Sequence, residues 1–146
     1  MSDDTSTLRS VHLVRTGPAE YRAENARGGV ITFGDGDTID FTPVELLLVA
    51  LGGCNALTIE ALTKRAEPNR FDISVEAHKV KIEDGGSRLE DIAVTIDISF
   101  DHDEDGQKMA DRVPGAIEKS HQKLCTVSRT LEQANPVRVV QVRAAE

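Results

Sequence analysis

The sequence predicts an α+β fold in which helices pack on antiparallel sheet. Three observations carry that expectation. Short β-like stretches separated by turn residues fill the first part of the chain, a capped and strongly apolar helix follows them, and two long alternating segments are joined by a polar, glycine-containing connection. With 146 residues the chain has the length of one domain. Roughly two thirds of the unfolded surface can be buried at that size. A disordered N-terminal tail is expected over residues 1–7 and a single domain over residues 8–146.

The β-like stretches are Val11 to Arg15, Glu20 to Glu24 and Val30 to Phe33. Thr16-Gly17-Pro18 and Arg27-Gly28-Gly29 between them supply turn chemistry, so the three read as a meander. Thr42-Pro43-Val44-Glu45 has a Thr N-cap, Pro at the first helical position and Glu at the third, which is the capping-box spacing. Lys64 and Arg65 are expected in the last turn of this helix, with Pro68 preventing its continuation. Leu46 to Leu51 is apolar around nearly the whole circumference, which predicts burial on most sides.

Phe71, Ile73, Val75 and Ala77 alternate with polar residues, as do Ile92, Val94, Ile96, Ile98 and Phe100. The two runs read as a long hairpin with one buried face. Val80 and Ile82 reverse the phase, so a bulge is expected near His78 and Lys79. A second helix is expected from about Gln107 to Leu124, broken or kinked at Pro114-Gly115. A corner at Cys125, a short helix from Thr126 to Gln133 and a last strand from Val137 to Ala144 complete the reading.

Composition narrows the function. The 25 acidic and 17 basic side chains give a formal charge of −8, and no Lys/Arg cluster stands out. Nucleic acid and anionic membrane are poor partners for such a surface. The apolar run Leu46 to Leu51 is too short to span a bilayer, and Met1 to Thr7 lacks a signal peptide's basic and apolar regions. A cytoplasmic location is therefore expected. In a reducing compartment two cysteines point to free thiols or a transient, functional bridge.

Cys54 falls in the third turn of the capped helix on a stripe with Leu47, Ala50, Leu51, Leu57, Thr58 and Ala61, which by itself describes a core position. Gly52-Gly53 before it costs roughly 1 kcal/mol per glycine relative to Ala, so close approach is needed there, by a packed element or by a ligand. Cys125 stands at the start of a short helix, where unpaired backbone N–H groups favour a thiolate; an ordinary buried small residue is the plain alternative. His121, one turn earlier, suggests a Cys/His pair. The four histidines and two cysteines show no zinc spacing, and there is no phosphate-cradling Gly loop, nucleophile elbow or dinucleotide fingerprint. No metal and no cofactor are expected.

The segment Thr42-Pro43-Val44-Glu45-Leu46-Leu47-Leu48-Val49-Ala50-Leu51-Gly52-Gly53-Cys54 resembles the first cysteine motif of the OsmC/Ohr superfamily, in its P-x-E-L-L-L-x-A-L-G-G-C branch. Ala116 to Ser120, running on to Cys125-Thr126-Val127-Ser128, is similar to the second motif. The resemblance covers roughly residues 8 to 145. It implies an OsmC-like intertwined homodimer, with antiparallel sheets packed on central helices and a thiol site near the subunit interface. It further implies that Cys54 attacks a small organic hydroperoxide, that Cys125 resolves the sulfenic acid as a disulfide, and that a thiol or dithiol reductant restores the pair.

In the peroxidase branches a Glu directly follows the helix-opening Pro and works with an N-terminal Arg; here Val44 holds that position. Glu45, the candidate carboxylate, is one residue later, nearly opposite Cys54 on a regular helix, and also fits the cap. Arg15 matches the Arg position best, with Arg22 and Arg27 as substitutes. The expected function is thus a thiol-dependent peroxidase. Two alternatives stand beside it: a non-enzymatic OsmC-like protein binding a small apolar or electrophilic ligand, and a structural dimer with incidental thiols.

Overall fold

The computed structural model describes residues 7–142. Two compact units divide the chain, the first ending at Leu48 and the second beginning at Val49. In the first, β1 (Val11–Gly17), β2 (Glu20–Asn25) and β3 (Val30–Gly34) form the expected antiparallel meander in the order β1-β2-β3. Gly28 takes φ +91° in the second turn, where Asn25 Oδ1 accepts hydrogen bonds from the N–H groups of Arg27 and Gly29 at 2.9 Å each. Tyr21 and Phe33 are register partners whose rings stack at 5.6 Å.

Helix α1 (Pro43–Leu62) opens in the first unit with the reciprocal cap expected of it. Thr42 Oγ1 accepts from Glu45 N at 3.2 Å, and Glu45 Oε1 accepts from Thr42 N at 2.9 Å. The helix ends earlier than expected. Thr63 N bonds Glu60 O in a tightened final turn, so Lys64 and Arg65 follow the helix instead of closing it. Burial is also narrower than the sequence suggests: only Leu51, Gly52, Asn55 and Ile59 are buried, a single stripe at three- and four-residue spacing. Off that stripe Leu46, Leu48 and Leu62 are part-buried, whereas Leu57 at 70% and Val49 at 53% exposure stand open among the described residues.

The second unit continues with β4 (Pro68–Lys81) and β5 (Ser87–Phe100), an antiparallel hairpin in which Phe71, Ile73 and Val75 pair with Ile98, Ile96 and Val94. Partial burial follows Phe71, Ile73, Val75 and Ala77 and then jumps to Val80, so the phase slips where expected. The register shift lies between Glu76 and His78, and the matching irregularity on β5 includes Asp91 at φ +52°.

Helix α2 (Glu104–Lys119) starts before the expected Gln107, because Asp103 caps it by accepting from Gly106 N at 2.7 Å. Pro114 lies inside α2 without ending it. Pro114 and Gly115 are exposed, while Gly106, Met109 and Ala116 carry the buried face, so the proline ring and its missing donor fall on the solvent side. Regularity is lost further on, in a π turn (Ser120–Leu124). Cys125, with extended backbone, then caps α3 (Thr126–Leu131).

The strand expected from Val137 to Ala144 does not form over residues 137–142. No described strand lies beside this segment to complete a ladder, and Val137, Val139 and Val142 are 86%, 90% and 88% exposed. Residues 143 and 144, like residues 1–6 of the expected tail, lie outside the described residues.

Candidate functional site

The two cysteines, 71 positions apart in sequence, come together in the second unit, where Asn55, the residue after Cys54, bonds Ser128, three residues after Cys125. Both are free thiols; Cys54 is half-buried at the edge of the α1 stripe, whereas Cys125 is fully buried. The fold thus gives solvent access to the first sulfur and withholds it from the second.

Local geometry separates the two sulfurs electrostatically. Burial pushes the Cys54 thiol up, and its hydrogen bond and charge contact with Cys125 push the same way, against smaller donations from the backbone at Val127 and Thr126. Burial acts upward on Cys125 too. There it is outweighed by hydrogen bonds from Cys54, from the Ser128 side chain and from the backbone at Ser128 and Val127, so Cys125 is held below an ordinary thiol. Ser128 N donates to Cys125 Sγ at 3.3 Å, the N-cap bond of α3.

Around the pair runs a buried polar network for which the sequence reading had no place. Asn55, next to Cys54, donates from Nδ2 to Leu51 O at 3.0 Å and to Ser128 Oγ at 3.1 Å. Its Oδ1 accepts from Ser120 Oγ at 2.8 Å. Asn55, Ser120 and Ser128 are 4%, 0% and 2% exposed, and no buried side-chain polar atom among the described residues lacks a partner. The available signal was Asn55 itself, a polar residue on the same stripe as Leu51 and Ile59.

The two glycines before Cys54 play different parts. A Cβ at Gly52 would stand 2.7 Å from Val75 Cγ2, so the first glycine lets α1 lie close on β4. A Cβ at Gly53 would meet nothing within 4 Å among the described residues. Close by, an open cavity of about 480 Å³ is walled by Ile92, Val94 and Ile96 of β5 on one side and on the other by residues of α2, the π turn and α3, Ile117 and Leu131 among them, with Leu51 and Asn55 from α1. The Leu-rich helix contributes little of its wall.

The remaining candidates have partners of their own within their units. His121 does not pair with Cys125; its Nε2 binds Glu132 Oε1 at 2.8 Å, across the π turn and the end of α3. Glu45 caps α1. Arg15 is exposed on β1 opposite Tyr21, whereas Arg22 pairs with Glu24 at 3.0 Å. Among the described residues no group of three or more His, Cys, Asp or Glu side chains is placed to hold a metal ion.

The family model for OsmC-like proteins matches residues 34–140, a span that contains both cysteines and the whole polar network. The chain belongs to the OsmC-like family. Solved structures share this OsmC-like fold. A hypothetical protein from Aquifex aeolicus VF5 aligns with a TM-score of 0.67 at 21% identity, covering 86% of this chain and 87% of that one. An OsmC-like protein from Mycoplasma pneumoniae gives 0.66 at 20% identity over 86% and 88%. An organic hydroperoxide resistance protein from Elizabethkingia anophelis gives 0.58 at 19% identity over 85% and 89%. No curated protein sequence matches the chain.

Proposed function

We propose that this OsmC-like protein is a thiol-dependent peroxidase that reduces small organic hydroperoxides through a Cys54/Cys125 sulfenic acid and disulfide cycle. The observation that carries the reading is the pair of neighbouring free thiols, half-buried at Cys54 and fully buried at Cys125, where a backbone N–H donates to the sulfur. Cys54 passes its proton to Cys125 and attacks the terminal peroxide oxygen. A sulfur–oxygen bond forms, the O–O bond breaks, and the departing alkoxide takes a proton from solvent to become the alcohol. Cys125 then attacks the Cys54 sulfenic acid, forming the disulfide, and the displaced hydroxide leaves as water with the thiol proton. A thiol or dithiol reductant returns the disulfide to two thiols.

Arg15 is assigned the positive charge that helps Cys54 ionise, and Glu45 the accessory carboxylate, its cap bond to Thr42 notwithstanding. The active form is an intertwined homodimer of one domain spanning residues 8–146, in the cytoplasm. Helix α1 is long and apolar enough to cross a membrane by length and composition. The exposed face with Val49 and Leu57 is instead assigned to a second copy, since Gly52 fits the same helix against β4. Fold-mates named for organic hydroperoxide resistance support the substrate class.

The test mixes reduced protein with cumene hydroperoxide and follows thiol loss by mass spectrometry, beside Cys54→Ser and Cys125→Ser. Rapid formation of a Cys54–Cys125 bridge is expected, with a sulfenic acid trapped at Cys54 in Cys125→Ser. Thiols that stay reduced at the pace of a free thiol refute the peroxidase. The cavity of about 480 Å³ favours a second reading, a non-enzymatic protein binding a small apolar ligand, for which saturable binding without turnover is the signature.

A further inference from the structure

Asn55 follows Cys54 on the buried stripe of α1, and its side chain reaches the chain on both sides of Cys125. Its Nδ2 donates to Ser128 Oγ at 3.1 Å, in the first turn of α3, and its Oδ1 accepts from Ser120 Oγ at 2.8 Å, where the π turn begins. A third bond, from Nδ2 to Leu51 O at 3.0 Å, fixes the orientation of the amide, because a carbonyl oxygen only accepts. Ser120 and Ser128 hold Cys125 through their backbones: Cys125 N donates to Ser120 O at 2.7 Å, and Ser128 N donates to Cys125 Sγ at 3.3 Å. One amide thus ties the helix of Cys54 to the residues that grip Cys125 before and after it in the chain.

We propose that Asn55 is a positioning residue that docks the Cys125 corner on the Cys54 helix, keeping Cys125 buried in the reduced protein and in place to close the disulfide. The inference deepens the thiol-pair reading of this site and rests on it, but it needs no peroxide. The corner requires such a tie. The π turn leads into an extended backbone at Cys125, and the helix that follows has only six residues. A helix that short does not hold itself, so bonds to the rest of the fold must hold it.

A dock differs from a general contribution to stability. A side chain that stabilises the whole fold protects Cys125 only against global unfolding, whereas losing a dock opens the corner locally while the rest stays folded. It also gives the reduced corner a wider range of positions, which the disulfide must then remove, so the effective molarity of the two thiols falls. Met109, fully buried on α2 and without a part in these bonds, supplies the comparison.

Two measurements on the full-length chain test it, with circular dichroism as the check on folding. In a Cys54→Ser background, where Cys125 is the one cysteine left, its alkylation by iodoacetamide is followed by mass spectrometry from zero to mild urea. With both cysteines present, the protein is equilibrated with glutathione below the pH of the first thiolate step, so that both thiols are neutral. One oxidised glutathione is exchanged for the protein disulfide and two reduced glutathiones. Asn55→Ala is expected to speed alkylation of Cys125 roughly tenfold or more, the weight of two buried hydrogen bonds, with little dependence on urea. The same substitution should disfavour the disulfide several-fold.

Ser120→Ala cuts one of the two ties and leaves Asn55 bonded to Leu51 and Ser128, so it should move both readouts the same way by a smaller factor. Combined with Asn55→Ala it should add nothing, the tie being already gone. Met109→Ala should speed alkylation only through the urea-dependent, global route and leave the glutathione equilibrium unchanged. A folded Asn55→Ala protein with either readout unmoved, a disulfide that becomes more favoured, or equal shifts in Met109→Ala would overturn the proposal. Should Asn55→Ala fail to fold, Ser120→Ala decides by itself, and its two readouts unmoved overturn the docking role. A wild-type protein that ignores cumene hydroperoxide but shows these shifts would remove the peroxidase and leave the positioning role standing.

Discussion

Replacing Gly52 by Ala is expected to weaken the fold, although alanine is the better helix former. The new Cβ would stand 2.7 Å from Val75 Cγ2 and 3.3 Å from Ile73 Cγ2. Carbon atoms rest at roughly 3.5–4.0 Å, so α1 and β4 must separate by about an ångström or Val75 must leave its rotamer. Both neighbours are β-branched and stiff at χ1, and Val75 is held mid-strand opposite Val94. Overpacking of this kind costs about 1–3 kcal/mol, against which alanine returns about 1 kcal/mol of helix propensity.

The net expectation is a loss of about 1 kcal/mol, reaching about 2 if the strand cannot yield. Gly53→Ala is the control, with the same propensity gain and no atom of the described residues within 4 Å of its Cβ. Urea unfolding at one fixed protein concentration measures both, the concentration being fixed because self-association adds to apparent stability. Gly52→Ala should lower the midpoint at unchanged slope while Gly53→Ala does not. A Gly52→Ala protein as stable as Gly53→Ala would refute the close-approach argument.

Other expectations follow from the same geometry. Asp103→Ala should lower the thermal midpoint through the loss of about 1 kcal/mol, since Gly106 N loses its cap acceptor. Leu57→Glu, at a position 70% exposed in one chain, should shift the protein to monomer in sedimentation; an unchanged dimer would place the interface elsewhere. Thiolate absorbance should rise in two steps with pH, one below and one above the ordinary thiol value. Cys125→Ser should remove the lower step and bring the Cys54 step down from its wild-type position, because the neighbouring sulfur no longer carries charge. A single step at the ordinary value in the wild type would contradict the coupling.

What could be read from the sequence was what depends on neighbours along the chain. The meander followed from Gly28 and its companions, the start of α1 from Thr42 and Glu45, and the slip in the hairpin from the phase of Val80. Each is set by a few adjacent residues whose backbone preferences agree. The pairing of Cys54 with Cys125 was anticipated only through the resemblance of its two motifs, because residues so far apart leave no periodic trace in one sequence. Asn55 went unnoticed, and Ser120 and Ser128 were read only as parts of the second motif, for the same reason: their bonds span 65 and 73 positions. Pro114 misled because a proline's effect depends on which side of the helix it occupies, and the valines after Pro136 misled because alternation describes a strand's faces without supplying the neighbour it needs.

The π turn before Cys125 makes chain length a functional variable. Cys125 N bonds Ser120 O five positions back, where an α-helix would reach four. Deleting one residue between His121 and Leu124 would rewind the turn as regular α-helix, with Cys125 N reaching Ser120 O across four residues instead of five. The cysteine would be drawn round the helix axis by part of a residue step and its sulfur moved from its place beside Cys54, although both thiols and the whole polar network were still encoded. A single-codon deletion in this turn could therefore silence the pair more completely than many substitutions beside it, and tolerance to gaps should fall sharply between the solvent-facing Pro114-Gly115 and the corner.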